Sequence, residues 1–382
     1  MISRASRSPI AEWWWTVDRT LLSLVIILLL GGLVLSLAAS PPVAERLDLP
    51  SHHFVLRHAI YVPLSAMLMI GLSFLSSRQV RRIAAVMLVC GLVALIAVLF
   101  VGLEIKGSRR WIFLAGMSLQ PSEFIKPPFV IITAWLFAEG ARRPDIPGRL
   151  LASVLLLIVA ALLIAEPDLG QTILMFAVWG ALFFLAGVPP FVVAGLSAAS
   201  LFGLFAAYKT FPHVAARVDR FLDPSSGDTF QVDTALQSFH RGGWSGAGPG
   251  EGVMKRVLPD SHTDFVFAVV AEEFGIVLCL VIVLLFALLV GRALYRAFRR
   301  NGSFERMAIA GLATLIGIQA FINMGVNLQL LPAKGMTLPF ISYGGSAMLS
   351  SAITMGFLLA LSRRRPDQQV TVVPRAFAAD PT

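Results

Sequence analysis

Runs of close to 20 apolar residues recur along this chain, and nothing else in it restricts the fold so strongly. They lie near Leu21–Ala39, Ala59–Leu75, Ile83–Leu103, Pro121–Ala138, Leu151–Ala165, Gln171–Ala186, Phe191–Tyr208, Phe265–Val290, Arg306–Asn327 and Ile341–Leu361. A helix needs about 20 apolar residues to cross a hydrocarbon core of about 30 Å, and inside a bilayer the backbone must satisfy its own hydrogen bonds. The pattern predicts an all-α polytopic integral membrane protein with about ten transmembrane helices. Composition excludes the soluble alternative: 57% of residues are hydrophobic and 14% charged, against about 25% charged in an ordinary soluble domain. The fourth run is the least regular, because Glu123, Lys126 and prolines interrupt it. The first is too long for the core of a cleavable signal peptide and reads as a retained span.

Charge gives an orientation. Arg78, Arg81 and Arg82 follow span two, Arg142, Arg143 and Arg149 separate spans four and five, Arg292, Arg296, Arg299 and Arg300 follow span eight, and Arg363, Arg364 and Arg365 follow span ten. In a ten-span chain these fall on one side with Arg4 and Arg7, and the positive-inside rule makes that side cytoplasmic. Trp13, Trp14 and Trp15 then sit at the inner interface, where indoles are enriched. The expected organisation is a cytoplasmic segment over 1–19, a membrane domain over 20–362 and a cytoplasmic, disordered tail over 363–382. A large extracytoplasmic loop over 209–264 joins spans seven and eight. The net charge of +9 is spread through short loops and does not point to nucleic acid. Cys90 and Cys279 lie inside apolar runs and read as free thiols.

The outer face carries the polar motifs. Lys106, Arg109, Arg110, Arg217, Arg220, Arg241, Lys255, Arg256 and Lys334 lie there against the trend. Long loops cross regardless of charge, but GSRRW at 107–111 lies in a short one. Basic groups there suit an anionic ligand such as a diphosphate lipid; solvated surface charge is the alternative. The glycine-rich Ser238–Gly252, SFHRGGWSGAGPGEG, permits close backbone approach or positive φ. No GK[ST] follows it, so it is not a nucleotide P-loop and reads as a flexible lid. Phe230–Phe239 before it suits an interfacial or re-entrant helix.

Four clusters hold ionisable groups at membrane depth or beside it, where they are costly and mark working sites. In QPSEFIK, Glu123 and Lys126 are three apart and share a helix face, as a structural or a functional pair. In AEPDLGQ, Pro167 breaks the helix and Glu166 and Asp168 flank it, Asp168 reading as a site or a turn residue. Leu331–Ser346, LPAKGMTLPFISYGGS, carries Lys334 and Ser342 on backbone too broken for regular helix, tolerated where it lines a cavity or kinks a span. In Leu258–Gly275, LPDSHTDFVFAVVAEEFG, His262 precedes Asp264, and Glu272 and Glu273 follow inside span eight. Asp264 is a working carboxylate or the cap of that helix. On a straight helix Glu272 lies about 80° around from Asp264 and roughly 12 Å deeper, lining the same cavity, and Glu273 about 180° around, facing another span. HExxH, CxxC and GxSxG are absent, leaving zinc or serine hydrolysis without support.

Taken in order, GSRRW, QPSEFIK, EPDLGQ, FLDP, LPDSHTDFVFAVVAEEFG and LPAKGMTLPFISYGGS resemble the SEDS family of bacterial shape, elongation, division and sporulation proteins. The resemblance runs from about Trp14 to Ser362. KGMTLPFISYGGS is more similar to the division members than to the elongation members. Two places depart from the family's usual form: Thr229-Phe230-Gln231 and Gly246-Ala247-Gly248.

The resemblance implies a peptidoglycan glycosyltransferase that polymerises lipid II into β-1,4 glycan, with Asp264 as the essential carboxylate. Glu123 and Lys126 match the family's cavity pair; the full candidate substrate-binding set is Arg109, Arg110, Glu123, Lys126, Asp168, Arg217, His262, Lys334 and Ser342, with Arg109, Arg110 and Lys126 as candidate diphosphate partners ahead of Arg217 and Lys334. Residue chemistry is compatible: inverting transfer from a diphosphate donor needs one general base and positive charge on the leaving group, not the second acid of a glycosidase. No metal ligands are assigned; a divalent cation, Mg2+ or Mn2+, is a candidate for sharing the leaving-group charge. Implied partners are the nascent glycan strand, a class B penicillin-binding protein, other divisome membrane proteins and membrane lipid, at the division septum of the bacterial inner membrane. Rival readings are a lipid II flippase, to which a membrane-depth Glu272 lends support, and a non-catalytic divisome scaffold.

Overall fold

Ten apolar helices stand where the ten runs lie. The structure is a computed structural model and describes residues 8–105, 108–114, 117–210, 215, 219, 229–332 and 335–363. Eight helices are long and apolar enough to cross a membrane: Arg19–Ala39, His53–Ser73, Ser77–Val101, Pro121–Arg142, Gly148–Ala165, Val266–Phe298, Ser303–Asn327 and Gly345–Ser362. Leu169–Leu185 is apolar but shorter, and the 21-residue Pro190–Thr210 occupies the seventh position. This is a polytopic helical membrane protein.

Burial separates centre from rim. Spans four, nine and ten are 67%, 78% and 83% buried, whereas spans two, three and eight are 28% buried. Small residues let the central helices approach closely, which drives packing where lipid is as apolar as the side chains. A Cβ on Gly311 of span nine would stand 2.7 Å from Val130 of span four and 2.9 Å from Leu182 of span six. A Cβ on Gly356 of span ten would stand 2.8 Å from Leu72 of span two. Span four is a genuine span built from two helices, Pro121–Phe124 and Lys126–Arg142, with Pro127 and Pro128 in the first turn of the second. Proline is tolerated there because those N–H groups have no helical partner.

Span eight is not a straight rod. Gly275 has φ 79° and ψ 177°, which breaks the helix. The Cys279 thiol lies 3.9 Å from the Phe267 carbonyl oxygen, twelve residues earlier; on a straight helix that separation is about 18 Å. The chain therefore folds back at Gly275, and the first arm runs beside the second.

Among the described residues of the outer loops, Leu103–Ile105, Ser108–Leu114 and Met117–Leu119 form a three-stranded antiparallel meander, pairing Glu104 with Arg109 and Ile112 with Leu119. Such short strands are invisible to a search for apolar periodicity. The helix expected near 230–239 runs over Phe230–Gly242 and buries Thr234, Ala235, Ser238 and Gly242 against span eight, with Phe239 and Phe267 ring centroids 5.8 Å apart.

The segment after it is docked, and the flexible-lid reading is corrected. The break at Gly275 leaves backbone groups without helical partners, and the glycine-rich stretch supplies them. Ala247 and Gly248 donate to the Glu272 and Glu273 carbonyls at 2.8 and 3.0 Å, and Ile276 donates to the Gly243 carbonyl at 2.9 Å.

At the arginine-rich end, the helix Pro9–Thr16 lies across the bundle. Trp13 donates to Ser73 at 2.6 Å and stacks on Phe74. Asp18 pairs with Arg292 at 3.0 Å and with Arg296. Arg363, placed in the tail by sequence, is buried in the bundle end, donating to Thr16 at 2.9 Å and to the Phe74 and Ser73 carbonyls at 3.3 and 3.4 Å.

Candidate active site

A tight turn delivers Asp264. Asp260 has φ 54°, and its carbonyl accepts the N–H groups of Thr263, Asp264 and Phe265 at 3.1, 3.1 and 3.3 Å. The cap position of the following helix is Phe265, so Asp264 is not its cap residue. Asp264 is half-buried, whereas residues 265–273 are all buried. Its carbonyl accepts from Asn323 at 2.8 Å and Asn327 at 3.0 Å, both on span nine. Its Oδ2 lies 3.2 Å from where a Cβ on Gly335 would stand. A carboxylate at the edge of the core, pinned through its own backbone, can exchange protons with a ligand without paying full burial.

Deeper in the bundle, Glu123 and Lys126 form a buried ion pair at 2.6 Å. Each has further partners: Gln171 donates to Glu123 at 2.7 Å, and Lys126 donates to Gln319 at 3.0 Å. A buried pair survives only with such additional bonds. Gln319 in turn donates to the Thr337 carbonyl at 3.3 Å, and Asn323 to the Met336 carbonyl at 2.7 Å. The irregular segment 335–344 thus joins the Glu123–Lys126 pair to Asp264.

Asp168 is buried and accepts the Gln171 N–H at 3.3 Å as cap of span six. Arg110 reaches the same turn, donating to the Glu166 carbonyl at 3.1 Å and to that of Pro167, with Asp168 4.0 Å away. Glu166 is fully buried and neither carboxyl oxygen has a hydrogen-bond partner. Burial, with the neighbouring Asp168 charge, pushes its pKa up to about 8, while Arg110 opposes. Burial also raises Asp168, against the pull of Arg110.

His262 forms a three-ring cluster with Phe54 and Tyr343, with centroids 4.7 and 5.3 Å away, and burial lowers its pKa to about 4. Its ring is therefore neutral at pH 7, and its Nδ1 has no partner. Ser342 accepts the Leu338 N–H at 2.9 Å and shapes the turn beside it. Arg109 is exposed on the meander, 3.5 Å from Glu104. Arg217 and Lys334 lie outside the described residues.

Glu272 and Glu273 require a correction. Glu272 does not line a cavity beneath Asp264, because it is fully buried and its carboxylate is taken up by backbone N–H groups of the outer segment. Its carboxylate accepts from the Val253, Met254 and Lys255 N–H groups at 2.7, 2.9 and 3.3 Å. Glu273 pairs with Lys255 of the outer segment, not with another span, and accepts the Gly250 N–H at 3.0 Å. Both acids latch the segment 243–257 onto span eight.

Sequence reading passed over Gln171, Gln319, Asn323 and Asn327. The last three were legible: they recur every four residues, one face of a helix, in an otherwise apolar span. Among the described residues no three His, Cys, Asp or Glu side chains are grouped to hold a metal ion. Chemically, the site offers an accessible carboxylate, a buried neutralised pair and a wall of amides.

The model of the FtsW, RodA and SpoVE cell cycle proteins matches residues 19–367. The chain belongs to this family. It is 46% identical to the probable peptidoglycan glycosyltransferase FtsW of Caulobacter vibrioides, over 95% of this chain and 94% of that one. It is 36% identical to the protein of the same name in Aromatoleum aromaticum, over 95% and 91%. Among solved structures it is similar to the rod shape determining protein RodA of Thermus thermophilus, with TM-score 0.67, 29% identity and coverage of 91% and 97%. It is also similar to a chain of a peptidoglycan synthase complex that coordinates polymerization and crosslinking, with TM-score 0.76, 29% identity and coverage of 91% and 98%.

Proposed function

We propose that this protein is a peptidoglycan glycosyltransferase that polymerises lipid II during septal wall synthesis, with Asp264 as its general base. The observation that carries the reading is the half-buried Asp264 carboxylate beside Gly335, fixed through its backbone at the edge of a buried helix. Its identity to FtsW proteins supplies the substrate class.

In the reaction, Asp264 takes the proton of the acceptor sugar's 4-hydroxyl as that oxygen attacks C1 of the donor. The C1–O bond to phosphate breaks, and its electron pair leaves with undecaprenyl diphosphate. A single displacement turns the α donor linkage into a β-1,4 bond. A diphosphate is a good leaving group, so positive charge serves it better than a second acid. Arg109, exposed on the meander, is a candidate for that contact. Lys126 and Arg110 are committed to Glu123 and to the 166–168 turn and would act by fixing the site's shape and potential. A Mg2+ or Mn2+ accompanying the substrate would be held mainly by the diphosphate oxygens and would shield the leaving group. The class B penicillin-binding protein, the cytoplasmic membrane and the septum complete the proposal, with both termini cytoplasmic.

The test is polymerisation of labelled lipid II by purified protein in detergent. The cognate penicillin-binding protein is present in transpeptidase-inactive form, and moenomycin silences contaminating transferases. Wild type should make long strands and Asp264→Asn none, a loss of at least about 100-fold for a general base. Parental activity in Asp264→Asn would refute the assignment. Lipid II crossing proteoliposomes without polymer would favour transport.

A further inference from the structure

Asn323 is 1% exposed and sits where three separate parts of the chain meet. Its amide nitrogen donates to the Asp264 carbonyl at 2.8 Å and the Met336 carbonyl at 2.7 Å. One turn on, Asn327 donates to the same Asp264 carbonyl at 3.0 Å and to the Asn323 carbonyl at 2.9 Å. Its oxygen accepts the Ala268 N–H at 3.1 Å, in the first turn of the helix that follows Asp264. The orientation of Asn323 is determined, because a flipped amide would face its oxygen to two carbonyls.

We infer that Asn323, supported by Asn327, is a positioning residue that sets the Asp264 carboxylate against Gly335 for proton transfer. The inference rests on Asp264 being the base. With its backbone pinned, Asp264 retains only two side-chain torsions, and the 335–337 backbone that Asn323 also holds forms the opposing wall. A base must come within about 2.6–3.2 Å of the proton it takes, and a misplacement of about 1 Å can cost roughly 100-fold in rate. The Asn323 amide ties both sides of that gap to span nine, the same helix through which Gln319 reaches Lys126.

The variants Asn323→Ala, Asn323→Asp, Asn327→Ala and Asp264→Asn should be compared in the lipid II assay, with rates per folded protein across pH. Asn323→Ala should lose about 10- to 100-fold in kcat with KM for lipid II within about 3-fold. Asn323→Asp separates positioning from mere space-filling. Its carboxyl can donate one of the two bonds while protonated and none when ionised. Its activity relative to wild type should therefore fall as pH rises, whereas that of Asn323→Ala stays constant. The titratable and charged groups nearby, Asp264 itself, Asp260 and His262 on its turn and Glu123–Lys126 beyond Gln319, are present in Asn323→Ala as well, which serves as their control. Wild-type kcat in Asn323→Ala, or a pH-independent ratio in Asn323→Asp, would overturn the inference. Should Asn323→Ala not fold, Asn327→Ala must show a smaller kcat loss, and wild-type kcat there counts equally against it. Activity in Asp264→Asn would refute the base itself, a result separate from either.

Discussion

At Glu166 the chain buries a carboxyl with no partner, its pKa pushed up to about 8. The folded protein keeps this proton between pH 4.5 and 8, where the unfolded chain has lost it. Stability must therefore fall as pH rises through that window, by up to about 1.4 kcal/mol per pH unit. Asp168, also raised, contributes in the same direction. The thermal midpoint of purified protein should drop between pH 5 and 8, and Glu166→Gln should flatten much of the slope. An equal slope in the variant would mean that other groups set it. The sequence revealed a proline turn here, with acids on both sides. It concealed that Arg110, 56 residues earlier, spends its guanidinium on that turn's carbonyls, because nothing local to either segment encodes the meeting. Asn323 is the opposite case, a neutral polar residue whose four-residue spacing from Gln319 and Asn327 is local to one helix and readable in the sequence.

Spans were legible as elements because length and apolarity are local properties; most observed ends lie within about four residues of the expected ones, while spans two and three start six residues earlier, at His53 and Ser77, and span eight runs eight residues further, to Phe298. The break inside span eight at Gly275 was not legible. Inside an apolar run a glycine reads as a tolerated helix residue, and only its φ of 79° shows that it ends one helix and starts another. The loop glycines were read as allowing close approach, and Gly242 and Gly246 do so; what they approach, the broken part of span eight, was not readable. Gly275→Ala should be severe, since a Cβ there would overlap the Trp244 carbonyl and the conformation is strained for any side chain. We expect about 1–3 kcal/mol of lost stability from the conformation alone, with lower polymerisation. Gly291→Ala, in the same span with nothing within 4 Å of its Cβ, should be neutral or slightly stabilising. Thermal melts and lipid II assays on the pair check this, and equal behaviour would remove the corner from the account.

Across the whole molecule the two ends differ in construction. The arginine-rich end is closed by Pro9–Thr16, Asp18 and Arg363, whereas the other carries the meander, the latched segment and Asp264. Arg363→Ala should lower the thermal midpoint by several degrees, since four acceptors, on Thr16, Ser73, Phe74 and Glu12, lose their donor at about 1 kcal/mol each. It should leave lipid II turnover of the folded protein unchanged, because Asp264 lies at the far end. A selective loss of turnover would show that the two ends communicate. The ten-span plan was visible in hydropathy; this closure was not, because its contacts join residues as far apart as Thr16 and Arg363. The fold-back in span eight also has a mechanical meaning. The arm from Asp264 to Gly275 is about 15 Å long, with its fulcrum at the glycine and the carboxylate at its tip. A rotation of about 10° would sweep the tip through roughly 2.6 Å, close to the whole reach of a proton transfer. Glu272 and Glu273 grip the arm near the fulcrum and the asparagines hold its tip, so the arm is braced at both ends against a swing that would carry the carboxylate out of reach.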